Sequence, residues 1–538
     1  MFAQRFGPQA LMRSGGRMFG PSDNAIVRNI EACAALADML KTSLGPNGMK
    51  KLIVNHIDKR FVTSDCETIL SGVEVQHPAA KVLAMAVQTM QTEFGDGTNT
   101  LIALAGEMLS NASLLLEEGL HISDIRLGYE LAYNRLLELF EHEVVWEVTN
   151  VRDESQLKDV VATSITGKHI SRPELITSLV AKACASIIPP DAKQFDVDNV
   201  RVLKITGGSL DQSTVMNGMA IVREVSGMVK KVGRTKVLVL AGGLEFAGTE
   251  AKSTVMLHSA EELLNFSKGE EAEMERVIRS IKDKGVGCVI ANGAVSDLAL
   301  HYCNAMGIMV VKITSKFELR RLCRSLGATA IVKLEAPSED DLGIVESVEM
   351  VDISSRKTLI FQAVDHRLST IILKGATQGM LDEIERAIDD ALCCISAAIR
   401  DPRYLPGGGA FEIEMARQLT KFSQTLSGLE QHAARKFAES FEVIPKILAS
   451  NAGHDATVVI TELYAAHDAG DRFACVSADL EHRLSDAKSS RVLDHYVVKL
   501  FSTKLAYESV STILSVDQLI MAKPAGGPKP REPGPPDL

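Results

Sequence analysis

The chain has 538 residues, of which 46% are hydrophobic and 24% are charged, and its net charge is -11. At roughly 100–200 residues per domain, this length predicts about three to five domains. The acidic balance argues against nucleic acid as the main partner, and no apolar run approaches the ~20 residues that span a bilayer. The nine cysteines form no CxxC pair, which argues against a zinc site or a disulfide framework and predicts reduced thiols in the cytoplasm.

The first hundred residues read as helices interrupted by one hairpin. Apolar residues at helical spacing predict a helix over 24–43, which ends at the run of breakers LGPNG at 44–48. Strand-like residues at 49–54 and 61–63 predict a hairpin. Asp65 then begins another helix, and as a helix N-cap it has a purely structural interpretation as well as a functional one.

The middle of the chain has a different pattern of apolar and polar residues. A turn at 164–168 carries Lys168, and over 218–334 short apolar runs alternate with amphipathic helices. This alternation predicts a partly parallel sheet with flanking helices, and hence a separate α/β domain. The segment 244–268 is longer than most connections and contains a short amphipathic helix at 255–266, so we expect a lid or protrusion there.

The last third is mainly helical. A long helix is predicted over 375–400, with Asp389 and Asp390 near its middle, where Asp has a low helix propensity. A glycine triplet at 407–409 begins another helix, helices continue to about residue 511, and a strand follows at 516–521. Because helical ends surround an α/β middle, we expect the two ends to form one domain into which the middle is inserted. We also expect a flexible arm over the first twenty residues and a disordered Pro- and Gly-rich tail at the end.

The hexapeptide GDGTNT at 95–100 is the most informative stretch for function. Gly95 and Gly97 allow a tight turn and close approach of a ligand. The turn precedes a helix, whose free N–H groups and dipole favour phosphate. Asp96 fits a Mg²⁺ ligand, because Mg²⁺ takes one or two carboxylates plus phosphate oxygens. For the hexapeptide alone, an acidic turn with a Thr cap is the favoured interpretation, because short glycine motifs often occur without a bound ligand. The chain has no GxxxxGK[ST] motif, so the common P-loop class is unsupported.

Five motifs in order resemble the signatures of group II chaperonins. They are LGPNGMKK at 44–51, TSDCETIL at 63–70, GDGTNT at 95–100, PGGGA at 406–410 and NAG at 451–453. Further stretches are similar to subunits of the hetero-oligomeric eukaryotic cytosolic chaperonin, TRiC: EVQHPAAK at 74–81, AEELLNFSKGEE at 260–271, ERA with DD at 385–390 and IMAKPAGGPKP at 520–530. The resemblance covers nearly the whole chain.

The resemblance implies a multidomain α and α/β fold. It comprises a mainly helical equatorial domain for ATP binding, a hinge-like intermediate domain, and an α/β apical domain with a helical lid protrusion. The implied boundaries are 1–145 and 405–523 for the equatorial domain, 146–216 and 371–404 for the intermediate domain, 217–370 for the apical domain with its lid at 244–268, and 524–538 for a disordered tail.

The resemblance also implies an ATP and Mg²⁺ site. By motif, Asp96 is similar to the Mg²⁺ ligand, Asp65 and Asp390 to the pair that positions the attacking water, with Asp390 the general base, and Lys168 to the γ-phosphate sensor. Asp390 would lie on the hinge helix, so that closure would bring it to the nucleotide. The remaining residues expected to contact the nucleotide are Leu44, Gly45, Pro46, Gly95, Gly97, Thr98, Asn99, Thr100, Gly408, Gly409 and Asp494.

The family implies a subunit of an ATP-driven double ring with seven paralogous partner subunits, which folds nonnative cytosolic proteins such as actin and tubulin. A helix at 315–326 resembles the client-binding helix, although a solvated polar face is an alternative interpretation of its mixed surface, formed by Phe317, Glu318, Arg320, Arg321 and Arg324.

The chain departs from the family pattern at Cys66 and Glu67, where a Gly or Ala and an Ala are usual. A second hypothesis is therefore a structural ring subunit that binds nucleotide but hydrolyses it little. A third hypothesis, a self-sufficient homo-oligomer, is disfavoured by the stretches similar to a hetero-oligomeric complex.

Overall fold

The computed structural model describes residues 17–19, 25–55, 58, 60–168, 170–189, 192–245, 259–334, 337–354, 356–364 and 368–521. The sixteen α-helices of these ranges are α1 Ala25–Lys41, α2 Cys66–Gly72, α3 Pro78–Phe94, α4 Thr98–Glu117, α5 Ile122–Phe140, α6 Glu154–Thr166, α7 Pro173–Ile187, α8 Ala260–Asp283, α9 Asp297–Ala305, α10 Lys316–Leu326, α11 Gln378–Arg400, α12 Ala410–Ser423, α13 Glu430–Ser440, α14 Val443–Asn451, α15 Ala456–Asp468 and α16 Tyr496–Leu514.

The strands of the described ranges fall into one large sheet and several short pairings. They are β1 Arg17–Phe19, β2 Lys51–Val54, β3 Arg60–Thr63, β4 Trp146–Glu147, β5 Val200–Thr206, β6 Thr214–Ile221, β7 Lys231–Val232, β8 Thr235–Leu240, β9 Val286–Ala291, β10 Met309–Lys312, β11 Ala330–Ile331, β12 Gly343–Ile353, β13 Arg356–Ala363, β14 Ser369–Gly375, β15 Arg403–Pro406, β16 Ala474–Val476, β17 Leu484–Asp486, β18 Leu493–His495 and β19 Leu519–Met521.

The chain divides into two compact units. The terminal unit contains the described residues up to Trp146 and those from Tyr404 onward, and the middle unit is Glu147–Arg403. The two chain ends thus share one unit. The finer division of the middle unit into intermediate and apical parts stays a prediction.

Helix α4 is the centre of the terminal unit. Its buried residues lie on most of its circumference, as expected of a helix surrounded by others. It contacts α1, α13, α14 and α16, while α5 packs against α13. Tyr129 on α5 is fully buried and donates its hydroxyl to the carbonyl of Met108 on α4 at 2.8 Å, so even the polar end of this ring is satisfied.

A buried polar cluster ties α12 to α15. The Glu414 carboxylate is buried and accepts hydrogen bonds from Arg417 Nη2 and Gln418 Nε2, each at 2.7 Å. It also lies 3.0 Å from His467 Nδ1, and His467 Nε2 lies 3.0 Å from the Ala474 carbonyl. Burial raises the pKa of Glu414, but the three hydrogen-bonding side chains outweigh it and lower that pKa to about 2.

The middle unit is built on a ten-stranded sheet in the order β10-β9-β8-β12-β13-β6-β14-β5, with β11 beside β8 and β7 beside β12. The pairs β8–β9, β9–β10 and β5–β14 are parallel, which confirms the partly parallel sheet expected from the sequence. Alternation along β8 places Val237 and Val239 in one core with α10, and Leu238 and Leu240 in another with α8. Helices therefore cover both faces of the parallel strands.

Several predicted elements begin or end elsewhere. The helix expected from residue 375 begins after Thr377, whose side chain accepts from the Met380 N–H, because Gly375 is still paired in β14. Ser164–Thr166, expected in a turn, belong to α6, and the turn is confined to Gly167 and Lys168. The single strand-like run at 347–360 is a hairpin of β12 and β13 that turns at Ser354, where φ is 49°.

Other differences concern short strands and the expected lid. Arg17–Phe19, expected in a flexible arm, pairs antiparallel with β19. Three strands, β16 to β18, interrupt the region expected to be helical up to about residue 511. In the lid segment, 246–258 lies outside the described residues, and the helices expected at 255–266 and from 270 are one continuous helix from Ala260.

Two chain-wide observations complete the fold. All nine cysteines are free thiols, and seven of them are buried. Within the described ranges, none of the helices combines the length and the apolarity needed to cross a bilayer.

Candidate functional site

The GDGTNT stretch is a left-handed double bend that leads into α4. Gly95 (φ 67°) ends α3, and Gly97 (φ 77°) is the N-cap of α4, so the conformation at both positions favours glycine. Space also favours glycine at 97, because a Cβ there would lie 3.0 Å from Val498 Cγ1 and 3.1 Å from Met90 Cε, so both side chains would have to shift. Asp96 Oδ1 accepts from the Gly97 N–H at 2.7 Å, which holds the carboxylate at the start of the helix.

The loop after α1 lies directly beside this bend. Asn99 Nδ2 donates to the Ser43 carbonyl at 3.4 Å, and Asn451 Nδ2 donates to the Leu44 carbonyl at 2.8 Å. A Cβ on Gly45, where φ is 84°, would lie 2.5 Å from Leu448 Cδ2 of α14. The predicted contacts at Leu44, Gly45 and Pro46 are thus held between the start of α4 and the end of α14.

The glycine triplet at 407–409 also packs against helix α14. Gly408 and Gly409 have φ values of 64° and 87°, and a Cβ on Gly409 would lie 2.8 Å from Pro445 Cβ. A Cβ on Gly407 would lie 3.2 Å from Asp494 Oδ1. Gly45 and Gly409 therefore both pack against α14, and the triplet is adjacent to Asp494.

A buried ion cluster anchors Asp494. Lys499 Nζ on α16 lies 2.7 Å from Asp494 Oδ2 and 2.5 Å from Glu412 Oε1 of α12. Burial disfavours the ammonium, but the two carboxylates outweigh it and raise the pKa of Lys499. The sequence did not predict that Lys499 and Glu412 belong to the site. They lie on different helices far apart in the chain, so they form no sequence motif.

Asp65 has the structural role that its position suggested. It is the N-cap of α2, and its Oδ2 accepts from Thr68 N at 3.1 Å and from Thr68 Oγ1 at 2.6 Å. Cys66 is fully buried, and burial raises the pKa of its thiol, so this side chain is part of the core. Burial, followed by the charge of Asp65, raises the pKa of the Glu67 carboxyl.

Asp390 and Lys168 belong to the middle unit and pair with each other there. Asp390 on α11 is buried and forms an ion pair with Lys168, which follows α6. The structure thus places the loops at 44–46 and 95–100 side by side and the glycine triplet beside Asp494, and it pairs Asp390 with Lys168 in the middle unit.

The terminal-unit residues fit a magnesium nucleotide. Both α4 and α12 begin at a left-handed glycine, which has no side chain to cap the first N–H groups of the helix. Such N–H groups are the donors that bind phosphate at helix N-termini. Among the described residues, Asn99 Oδ1 is buried and has no hydrogen-bond partner, and Asp96 offers the carboxylate that Mg²⁺ prefers.

Comparison with known proteins identifies the family to which this chain belongs. Residues 36–524 match the model of the TCP-1/cpn60 chaperonin family, and the chain belongs to this family. The chain is similar to T-complex protein 1 subunit theta of Arabidopsis thaliana, with 42% identity over 98% of this chain and 97% of that protein. The human theta subunit is 42% identical over 97% of this chain and 95% of that protein. The theta subunit of Dictyostelium discoideum is 41% identical over 98% of each chain.

Family membership confirms the resemblance inferred from the motifs and the predicted fold class, with its helical and α/β parts. The roles of individual site residues stay predictions.

Proposed function

We propose that this chain is an ATP-hydrolysing subunit of a hetero-oligomeric double-ring chaperonin of the cytosol. Seven paralogous subunits would complete the ring, and nonnative proteins such as actin and tubulin would be its clients. The observation that supports the ATP site is the packing of two glycine turns, at Gly45 and Gly409, against α14, together with the left-handed glycines at the starts of α4 and α12. This arrangement provides backbone donors for several phosphate oxygens in one place.

Asp96 would hold Mg²⁺, which supplies neutralisation of phosphate charge when bound. Thr98, Asn99 and Thr100 would present their N–H groups to the phosphates from the first turn of α4, and Gly97, whose N–H holds Asp96, would allow the phosphates to approach closely. Asp494, fixed by Lys499, would orient the nucleoside beside the glycine triplet. Leu44, Gly45 and Pro46 would form the opposite wall, and their position follows from the hydrogen bonds of Asn99 and Asn451.

The Lys168–Asp390 pair offers a way to link nucleotide sensing to base catalysis. While the ammonium neutralises Asp390, this carboxylate is a poor proton acceptor. A γ-phosphate that draws Lys168 away would leave Asp390 able to take a proton from water, and Asp65 would help to orient that water. The same exchange would couple hydrolysis to closure of the lid formed by 244–268.

The client surface would be the outer face of α10. Leu319, Leu322 and Leu326 are buried in the core, whereas Phe317 is 75% exposed and Arg320 and Arg324 are exposed. A surface that combines an aromatic ring with cations can hold segments of mixed chemistry.

The competing function is a ring subunit that binds ATP and hydrolyses it little. Glu67 favours it, because a carboxyl with a raised pKa beside Asp65 places a second acidic group next to the residue expected to orient water.

One experiment separates these functions. Complexes carrying Asp390→Asn in this chain are given α-labelled 8-azido-ATP for one turnover and photo-crosslinked, and the ADP fraction on this chain is measured. Loss of a general base lowers the rate by about 10²–10⁴-fold, so we expect ATP in the variant and ADP in the wild type. Asp389→Asn is the matched control on the adjacent position and should behave as wild type.

The amount of crosslinked nucleotide tests whether Asp390→Asn still folds and binds. Equal ADP fractions in Asp390→Asn and Asp389→Asn, at equal crosslinking, would contradict the catalytic role. Little ADP on the wild-type chain would support the competing function.

A further inference from the structure

A cavity of about 580 Å³ lies in the terminal unit, between α5 and the second half of α12. Leu131, Leu139 and Phe422 contribute apolar side chains to its walls, and Gln418 and Lys421 belong to its polar lining. Among the described residues, none of those predicted to contact the nucleotide lines it, and it lies in a different unit from α10. The cavity therefore has no part in the function proposed above.

The lining of this cavity has one positive charge without a counter-charge. Lys421 is exposed and forms no ion pair with any described residue, whereas Arg135, the other cation of the described lining, already pairs with Glu138 on its own helix. This excess of positive charge occurs in a chain whose net charge is -11. Because a lysine ammonium has three donors and no acceptor, the partner that suits it is an anion.

Volume and lining together define the class of ligand. Small-molecule sites typically have ~300–1,000 Å³ and mainly apolar walls, with a few polar groups that fix the orientation of the ligand. A ligand with an apolar body and one carboxylate would bury its body against Leu131 and Phe422, and its carboxylate would bind the Lys421 ammonium. A polyanion such as a nucleotide would need more unpaired cations than the described lining offers.

Gln418 connects this cavity to the buried polar cluster of α12 and α15. Its Nε2 donates to Glu414 Oε1 at 2.7 Å and to Glu143 Oε1 at 3.0 Å. Both carboxylates are buried, and a buried charge depends on the donors that surround it. A ligand that drew the Gln418 amide away would therefore disturb both acids.

The same cluster continues to the glycine triplet of the candidate nucleotide site. Glu414 Oε2 lies 3.0 Å from His467 Nδ1, and His467 Nε2 lies 3.0 Å from the carbonyl of Ala474 in β16. In the same strand, Val476 donates its N–H to the Gly408 carbonyl at 3.0 Å. A series of hydrogen bonds and one short strand thus joins the cavity to a residue predicted to contact ATP.

We propose that this cavity is an effector site for a small amphipathic carboxylate, and that the bound ligand changes the affinity of this chain for ATP. The coupling rests on the proposed ATP site, whereas the binding does not. The ligand would compete for the Gln418 amide, and the resulting shift of Glu414 and His467 would move β16 and the glycine triplet with it. Because such coupling is reciprocal, ATP would change the affinity for the carboxylate by the same factor.

Binding is tested by photo-crosslinking of the complex that contains the full chain. The probes are decanoate and 2-naphthoate, each with a diazirine, and the comparison probe is a decyltrimethylammonium with the same diazirine. We expect the carboxylates to crosslink within 131–139 and 418–425, and the cation not to do so. Stronger labelling by decanoate would identify an acyl chain as the apolar body of the ligand, and stronger labelling by naphthoate would identify a ring.

Variants of the lining provide the controls. Lys421→Met should weaken decanoate binding about tenfold, which corresponds to the loss of one charge-assisted hydrogen bond. Lys504→Met removes another exposed lysine, on α16 and outside the cavity, and should leave the affinity unchanged. Leu131→Trp fills the cavity without a change of charge and should abolish the crosslinks, and its thermal unfolding curve shows whether the variant folds.

The coupling is measured as crosslinking of 8-azido-ATP to this chain, at a series of nucleotide concentrations, with and without saturating decanoate. In the wild type, we expect decanoate to change the affinity for the nucleotide about fivefold or more. In Gln418→Met, which keeps a side chain of similar length but lacks the amide, the change should fall below about twofold.

Three results would overturn the proposal: equal labelling by the carboxylate and cation probes, crosslinks confined to other parts of the chain, or a wild-type ATP affinity that stays constant while decanoate occupies the cavity. Failure of the proposed ATP site has a different signature. The chain would then bind no 8-azido-ATP with or without decanoate, while the crosslinks within 131–139 and 418–425 would still support the carboxylate site and exclude its coupling to ATP.

Discussion

Gly97→Ala is expected to damage both the stability of the terminal unit and its nucleotide site. At φ 77° an L-residue costs about 1–2 kcal/mol. The new methyl would lie 3.0 Å from Val498 Cγ1 and 3.1 Å from Met90 Cε, and such overpacking typically costs about 1–3 kcal/mol more. The total loss in free energy of unfolding is therefore about 2–5 kcal/mol.

Gly119→Ala is the matched control, because Gly119 follows the same helix, has φ 94°, and a Cβ added there would meet no atom within 4 Å. It should lose only the conformational part, about 1–2 kcal/mol. The assay is urea denaturation of the full chain, followed by the fluorescence of its single tryptophan, Trp146, whose ring lies 5.1 Å from Tyr404 in the terminal unit.

ATP binding gives a second readout for the same pair. Relief of the clash would shift the first turn of α4, so Gly97→Ala should weaken ATP binding about tenfold or more, whereas Gly119→Ala should not. If both variants had the same urea midpoint and the same ATP affinity, the account of why glycine occupies position 97 would be refuted.

Three further predictions concern buried charges and the α2 cap. Lys499→Met leaves Glu412 without its cation and should lower the free energy of unfolding in urea by about 3–5 kcal/mol, whereas the exposed Lys504→Met should change it by about 0.5 kcal/mol or less. Because the pKa of Glu414 is lowered from 4.5 to about 2, its carboxylate stabilises the fold above pH 4.5 and this contribution is lost as the pH falls toward 2. Glu414→Gln should therefore lower the free energy of unfolding by about 3 kcal/mol at pH 7. In denaturation curves measured at a series of pH values, the difference in free energy of unfolding between variant and wild type should shrink between pH 4.5 and 2. A difference that stayed constant with pH would contradict this. Asp65→Ala should cost about 1 kcal/mol and Asp65→Asn less, since Asn also caps helices; single-turnover hydrolysis that is normal in Asp65→Asn would reduce the role of this residue to capping.

Local patterns predicted much of the fold because their physical causes are local. Ser315 and Gly327 bound α10 as a side-chain cap and a left-handed C-cap, and both can be identified from residue type and spacing. The alternation of apolar runs with amphipathic helices likewise predicted the parallel strands of the middle unit.

The differences arise where a partner lies far away in the sequence. Strand β1 is short and pairs with β19 near the opposite end of the chain, so no local sequence pattern predicts it. The ion pair of Lys168 with Asp390 and that of Lys499 with Glu412 depend on tertiary packing in the same way. For the site, the motifs predicted which residues contact the nucleotide, and the structure shows how α14 brings two of the glycine turns together.

The most direct test of the central claim is native mass spectrometry of the tagged chain purified from its own cells, with ATP turnover measured on the same particle. We expect one large ATP-hydrolysing particle that contains this chain together with several different related chains. A particle of this chain alone, or a monomer that does not hydrolyse ATP, would contradict the assignment to a hetero-oligomeric chaperonin ring.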